Sequence, residues 1–141
     1  MNQPNPEQTA GCALPPPNEM ILKWAAERPD EVYLTQIINR QFVEFTYAEV
    51  ADQALRLVSA LRNLGVQPGD KVALVSKNCA EWFICDLAMM LGDYVSVPVF
   101  PTAGADTIEY CVIHSESKAL IGGKLDDPAA TQQVIDSMPD L

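Results

Sequence analysis

The sequence predicts an α/β fold, with a mainly parallel sheet flanked by helices and an antiparallel hairpin close to the amino terminus. From residue 72 to residue 122, short apolar runs alternate with amphipathic segments, a pattern typical of strands joined by crossover helices. Before them, two β-rich runs at 32–38 and 42–45 flank Asn39-Arg40-Gln41 and predict the hairpin. With 141 residues, the chain is long enough for one such domain.

The first 18 residues differ in composition from everything that follows. They are rich in Pro, Asn and Gln, include Pro15-Pro16-Pro17 and have no apolar periodicity, so we predict a flexible or extended arm over 1–18. The α/β unit then occupies 19–141. It opens with a short helix that begins at about Met20 and ends near Arg28, because Pro29 disfavours a helical conformation in the residue before it.

The strongest local signal is a long helix that begins after Thr46. Thr46 and Glu49 have the spacing of a capping box, in which each side chain bonds a free backbone amide. Gly65 is expected to end the helix, and 68–70 supply a turn. The residues predicted to face the core at helical spacing are Val50, Ala54, Leu57, Val58, Leu61 and Leu64.

Three strand–helix repeats follow, which predicts Rossmann-like βαβ units with right-handed crossovers. Asn78 is the predicted N-cap of the first of these helices, with Glu81 at its capping-box position. Asp127 is the predicted cap of the last helix, with Pro128 in its first turn. The strands and helices between them are predicted at 72–75, 80–91, 94–98, 105–115 and 119–122.

Charge and cysteine usage exclude several classes of protein. The formal net charge is -10, with no basic run, so nucleic-acid binding is excluded and docking to anionic lipid is disfavoured. Cys12, Cys79, Cys85 and Cys111 lack metal-ligand spacing and are expected to be reduced structural thiols. With no apparent signal peptide and no transmembrane segment, we expect a cytoplasmic protein.

Short motifs follow one another in a definite order over about residues 29–125. They are Thr46-Tyr47, Gly65-Val66, Gly69-Asp70-Lys71-Val72-Ala73, Asn78, Glu81-Trp82, Ala88, Gly92, His114-Ser115-Glu116 and Lys118-Ala119-Leu120-Ile121. This order resembles a known family, the AMP-binding (adenylate-forming) synthetases and ligases. Within that family, Val97-Pro98-Val99-Phe100-Pro101-Thr102 with Ile108-Glu109-Tyr110 is most similar to the long-chain fatty acid–CoA ligase branch.

The resemblance implies an enzyme that uses ATP, Mg²⁺ and CoA to convert a fatty acid to acyl-AMP and then to acyl-CoA. It also implies a Ser/Thr/Gly-rich phosphate loop ending in lysine, an acidic magnesium ligand and a lid with a catalytic lysine, and this sequence contains none of them. We therefore expect a partial domain of a larger enzyme, an N-terminal subdomain that is inactive alone and binds no cofactor. Its partner would be the remainder of its own enzyme, and its cut surfaces could cause self-association. The intact enzyme could lie at a membrane periphery.

No catalytic, cofactor-binding or metal-ligating residue is assigned within the sequence. Phe100 and Thr102, fixed between Pro98 and Pro101, could form a cleft wall, or they could simply belong to a rigid strand-to-helix turn. Gly122-Gly123-Lys124 lacks the spacing of a phosphate-binding loop and is interpreted as a strand exit. His114 is expected to complement the carbonyl dipole at a helix end rather than to act as an acid or base.

Two other functions agree with the same residues. One keeps the family but changes the acid, giving an amino-acid or aryl-acid adenylating enzyme. The other is a non-enzymatic binding or dimerisation module that has borrowed the fold. A reading frame that continues into a Ser/Thr/Gly-rich loop with lysine would exclude the module.

Overall fold

The structure, a computed structural model, describes residues 15–138 and 141. The predicted α/β class is confirmed. Its elements in chain order are α1 (Pro17–Glu27), β1 (Val32–Ile38), β2 (Gln41–Thr46), α2 (Tyr47–Asn63), β3 (Lys71–Val75), α3 (Ala80–Leu91), β4 (Val95–Val99), α4 (Ala105–Ser115), β5 (Ala119–Gly122) and α5 (Ala129–Ser137).

Three of the strands form a parallel sheet with β3 at its centre. The order is β4-β3-β5, and the register pairs Lys71 with Val95 and Val72 with Ala119. β1 and β2 form the predicted antiparallel hairpin as a separate two-stranded sheet. The strand order follows from two crossovers, because β3–α3–β4 and β4–α4–β5 move in opposite directions across the sheet.

Each face of the parallel sheet carries its own apolar cluster. The first cluster joins α1, α2 and α3 to Val72, whereas the second joins α4 and α5 to Ala73 and Val75. Successive residues of β3 therefore point to opposite faces, and its last four residues are all buried. The domain is a three-layer sandwich, with α1–α3 on one side of the sheet and α4–α5 on the other.

The capping box of α2 is confirmed. Thr46 Oγ1 accepts a hydrogen bond from the Glu49 backbone N–H at 3.3 Å, and Glu49 Oε2 accepts one from the Thr46 N–H at 2.8 Å. Gly65 follows the helix with φ +93°, where a Cβ would be strained. The prediction for Leu64 was wrong, because it is 78% exposed at the helix end and the chain folds back to bury Val66 in its place.

The hairpin turn is tighter than the sequence suggested. Only Asn39 and Arg40 lie between the strands, both with positive φ (51° and 64°), and β2 begins at Gln41. Two consecutive residues with left-handed φ form the two-residue hairpin turn whose twist matches that of the strands.

Both ends of the domain differ by a few residues from the predicted limits. α1 begins at Pro17, before the predicted 18/19 boundary, and residues 1–14 of the predicted flexible arm lie outside the described residues. At α5, Pro128 is the N-cap, so the predicted cap was one residue too early. The Asp127 carboxylate nevertheless accepts a hydrogen bond from the Ala129 N–H at 2.9 Å.

The predicted Asn78 cap of α3 was wrong. Cys79 is the N-cap and makes no side-chain capping bond. The side chain of Gln36, 44 residues earlier on β1, supplies the acceptor instead, with its Oε1 lying 2.6 Å from the Ala80 backbone nitrogen. The hairpin thus stabilises the start of α3, and this bond fixes one element against the other.

Replacing this cap gives a direct test of the link between hairpin and sheet. We expect Gln36→Ala to lower the free energy of unfolding by about 1–2 kcal/mol, because the Ala80 amide loses its acceptor. Gln41→Ala is the matched control, since Gln41 is exposed at the start of β2, and should cost less than about 0.5 kcal/mol. Urea unfolding followed by circular dichroism measures both, and equal losses would contradict the assigned cap.

Candidate functional site

The carboxyl ends of the parallel strands are where an open α/β sheet usually binds ligands. Residues 76–78 follow β3, 100–102 follow β4 and 123–124 follow β5. The three loops therefore lie together at the end of the sheet where its parallel strands finish. After β3 the chain crosses to the face of the sheet that carries the first cluster, where it forms α3. After β5 it crosses to the face that carries the second cluster, where it forms α5. The switch point that favours a binding crevice therefore lies between β3 and β5.

In this protein the switch point is closed by the chain itself. The Gly123 N–H donates to the Val75 carbonyl at 2.9 Å, the Lys124 N–H donates to Ser76 Oγ at 3.0 Å, and the Lys77 N–H donates to the Lys124 carbonyl at 2.9 Å. Amides that might have bound phosphate are thus already bonded within the protein. The geometry favours the strand exit over a phosphate-binding loop.

Two charged side chains at this closure also pair with each other. The Lys77 ammonium forms an ion pair with Asp126, across the same crevice. The Lys77 side chain is partly exposed and the Asp126 side chain is largely exposed, so the pair adds little to stability. Its consequence is that the Lys77 ammonium beside the switch point already has an acidic partner.

Gly123 is the residue that permits this closure. A Cβ built at this position would lie 2.5 Å from Ser76 Oγ and 2.6 Å from Ser76 Cβ, far inside van der Waals contact. At the neighbouring Gly122, a Cβ would meet only Thr131 Cγ2, at 3.4 Å. Sequence reasoning identified the glycine pair as a strand exit but gave no sign that Ser76 is its partner.

The two residues predicted as a possible cleft wall lie in different surroundings. Phe100 is 84% exposed and borders a cavity of about 230 Å³, whereas Thr102 is exposed in the turn and does not line that cavity. The Ala103 N–H donates to the Phe100 carbonyl at 3.0 Å, which closes the turn before α4. The other residues that line the cavity are Ser76, Asn78, Trp82, Pro98, Val99 and Pro101.

Glu81 lies at the start of α3 beside the Gln36 cap. The pKa of its carboxyl is lowered, first because the carboxylate accepts a hydrogen bond from its own backbone N–H. Partial burial opposes this effect, while the Cys79 and Gln36 side chains and the positive charge of Lys124 add to it. Glu81 is therefore an ionised carboxylate at neutral pH, which suits the positive end of the helix dipole.

Cys85 faces the same region from one turn further along α3. Burial, and to a smaller extent the neighbouring Cys79, Glu81 and Asp86, together raise the pKa of its thiol to about 11. A thiolate is the nucleophilic form of cysteine, so this side chain should react slowly at neutral pH. That agrees with the expectation of a structural thiol.

The histidine region forms no catalytic set. His114 stacks on Tyr110, with ring centroids 5.2 Å apart and an angle of 8° between the planes. Ser115 Oγ donates to the Val112 carbonyl or bonds Ser117, and Glu116 pairs with Lys71 at 3.4 Å. These three consecutive side chains are directed to separate partners.

The fold is that of a wound α/β domain whose switch point is closed by hydrogen bonds within the chain. A family model described as "AMP-binding enzyme" matches residues 21–141, and the chain therefore belongs to the AMP-binding enzyme family. The resemblance expected from the sequence is confirmed. No helix in the described part of the chain is both long and apolar enough to cross a membrane.

The sequence relatives include long-chain acyl-CoA ligases. The chain is 29% identical over 122 residues to a long-chain-fatty-acid–CoA ligase of Mycobacterium bovis, covering 86% of this chain and 20% of that protein. It is 37% identical over 71 residues to long chain acyl-CoA synthetase 1 of Arabidopsis thaliana, covering 50% of this chain and 11% of that protein. The chain thus spans at most about a fifth of the length of these relatives.

Solved structures of similar enzymes share the fold. A fatty acyl CoA synthetase of Mycobacterium tuberculosis superposes with a TM-score of 0.68 at 26% identity, covering 88% of this chain and 23% of that one. Coronafacic acid ligase of Pectobacterium brasiliense superposes with a TM-score of 0.77 at 23% identity, covering 88% of this chain and 24% of that one. The second likeness concerns the fold alone.

The close approach at Gly123 can be tested with its neighbour as control. We expect Gly123→Ala to lower the free energy of unfolding by about 1–3 kcal/mol, because the new methyl group overlaps Ser76. Gly122→Ala should be neutral or slightly stabilising, since its Cβ has room. Urea denaturation measures both variants, and a Gly123→Ala protein as stable as Gly122→Ala would contradict the closure.

The raised pKa of Cys85 predicts slow chemical modification. With a pKa of about 11, roughly one thiol in a thousand is ionised at pH 8, so alkylation by iodoacetamide should be about 100-fold slower than for an ordinary cysteine. The rate should rise as the pH approaches 11. Residue-resolved mass spectrometry measures it, and the same cysteine in urea is the control. Equal rates in folded and unfolded protein would contradict the assigned burial.

Proposed function

We propose that this chain is the N-terminal portion of an ATP-dependent long-chain fatty acid–CoA ligase. The intact enzyme would join ATP and a fatty acid to give acyl-AMP and pyrophosphate. The thiol of CoA would then displace AMP to give acyl-CoA. The observation that carries this proposal is the 29% identity to the Mycobacterium bovis ligase over 86% of this chain.

The choice of a fatty acid over another acid rests on sequence relatives. Both relatives described above are named for long-chain acyl substrates, and one of them is matched over most of this chain. A benzoate CoA ligase of Burkholderia xenovorans superposes with a TM-score of 0.70, but at 22% identity it informs the fold alone. The sequences therefore favour the fatty acid, with an amino-acid or aryl-acid substrate as the alternative to be tested.

Within that enzyme, this portion would act as scaffold. The amides that follow β5 are bonded to Val75 and Ser76, so the residues at the switch point do not fit a nucleotide phosphate. ATP, Mg²⁺ and CoA would be held by the remainder of the enzyme. The cavity beside Phe100, with Thr102 in the adjoining turn, is the place where this portion would contribute a wall.

The location of the enzyme is part of the same proposal. Cys79, Cys85 and Cys111 are free thiols, as expected for a reducing compartment. We therefore propose a cytoplasmic location for the intact enzyme, with a location at the periphery of a membrane as the alternative.

Calorimetric titration with ATP and Mg²⁺ tests the scaffold role. The isolated chain should have a folded circular-dichroism spectrum and show no saturable heat, because its switch point is closed. The full-length protein should bind ATP and catalyse ATP–pyrophosphate exchange that depends on a long-chain fatty acid, with benzoate and amino acids as matched controls. Micromolar binding by the isolated chain would contradict the scaffold role. Exchange driven only by benzoate or an amino acid would contradict the fatty acid.

A further inference from the structure

An apolar pocket lies between the beginning of α1 and the strand β1. It has a volume of about 240 Å³, and the described residues that line it are Pro15, Pro17, Met20, Ile21, Trp24 and Tyr33. Among them, Trp24 and Tyr33 carry the strong hydrogen-bonding side-chain groups, and the other side chains are apolar. An apolar cavity of roughly 150 Å³ is enough to hold a benzene molecule. The pocket therefore has room for a large apolar side chain.

The aromatic walls of this pocket are held in place by two side chains that do not line it. The Tyr47 ring stacks on Tyr33 with the ring centroids 4.9 Å apart, and it meets the Trp24 ring edge-on at 5.4 Å. The Arg28 guanidinium lies 4.8 Å from the centroid of the Trp24 ring. On the inner side, Ile21 is 2% exposed and belongs to the first cluster. The pocket is therefore preformed, and an entering side chain does not have to order its walls.

The chain reaches the first helix at the rim of this pocket. Pro15 is the first residue that the structure describes, and it lines the pocket together with Pro17. Pro16 lies between them with φ -64° and ψ 157°, which is the extended polyproline II conformation. Each proline also disfavours a helical conformation in the residue before it, so α1 cannot extend further towards the amino terminus. The segment before Pro15 is thus joined to the pocket by a stiff, extended connection.

The composition of residues 1–14 suits an apolar surface. Glu7 is their one charged side chain, although the whole chain has a net charge of -10, and residues 8–14 have no charged side chain. No charge would therefore lose its hydration if residues 8–14 lay against the pocket. Leu14 is the one branched aliphatic side chain among the 14 residues. Its Cα lies about 3.8 Å from that of Pro15, which already lines the pocket.

We propose that the segment before Pro15 docks on this pocket, with the Leu14 side chain inserted between Trp24 and Tyr33. The contact ties the amino terminus to α1 and β1 and covers an aromatic surface that would otherwise face solvent. A second copy of the chain is the less favourable occupant. Because Leu14 is joined directly to the rim of its own pocket, its effective concentration there reaches the millimolar range that short linkers give. The contact is the same whatever acid the intact enzyme activates.

Methyl NMR of the full-length protein tests this docking. Leucine methyl groups and tryptophan rings are labelled, and the Leu14 signals are identified by their absence from a Leu14→Ala variant. We expect the ring current of Trp24 to shift the Leu14 methyl signals upfield, and we expect nuclear Overhauser contacts between the two side chains. A mixture of molecules labelled at leucine with molecules labelled at tryptophan should show no such contacts, because the docking occurs within one chain.

Variants of the segment test the same contact through the exposure of Trp24. Exposure is measured by the broadening of the Trp24 ring signals with a soluble paramagnetic agent. Leu14→Ser should increase this broadening, whereas Leu14→Met should leave it unchanged, since methionine also fills the space with an apolar side chain. Leu22→Ser is the matched control. Leu22 is 41% exposed on α1 and does not line the pocket, so its replacement should not change the broadening.

Four results would overturn the proposal. The first is the absence of contacts between Leu14 and Trp24 in the full-length protein. The second is the appearance of these contacts in the mixed sample, which would assign the pocket to a second copy. The third is equal broadening of the Trp24 signals in Leu14→Ser and in the unchanged protein. The fourth is an equal increase in Leu14→Ser and Leu22→Ser, which would indicate a loosened helix in place of a displaced side chain.

Discussion

The burial of β3 on both faces and along both edges is the constraint on which the rest of the structure depends. Its residues Val72, Ala73, Leu74 and Val75 are at most 1% exposed. A strand this enclosed must have all its backbone groups paired, since an unpaired buried amide is costly. β4 and β5 supply those partners, and the two helical layers cover the side chains. The neighbouring strands and the two helical layers thus each cover one side of β3, whereas the hairpin packs against α2 and α3.

Much of this architecture could be predicted from local patterns. The capping box at Thr46, the stop at Gly65 and the alternation of strands and helices depend on residues within a few positions of one another, where propensity and spacing are informative. The family was identified from the same local motifs. Leu64 shows the limit of periodicity, because a residue in the last turn can point to solvent when the chain folds back behind it.

Contacts between residues distant in the sequence were missed, for physical reasons. Any nearby Asn, Ser or Asp is a plausible cap for α3, and only the packing of the hairpin shows that Gln36 takes this place. Ser76 likewise becomes important only when β5 brings Gly123 against it. Local sequence determines elements well, whereas side chains that join elements depend on the assembled fold.

The strand order has a consequence for how the domain can assemble during synthesis. β3 is the first strand of the parallel sheet to be made, and it becomes the central one. β4 and then β5 are added on its two sides, so no later strand has to be inserted between strands that are already paired. A chain that emerges from the ribosome amino terminus first can therefore build this sheet outward, one crossover at a time, without undoing any hydrogen bond formed earlier.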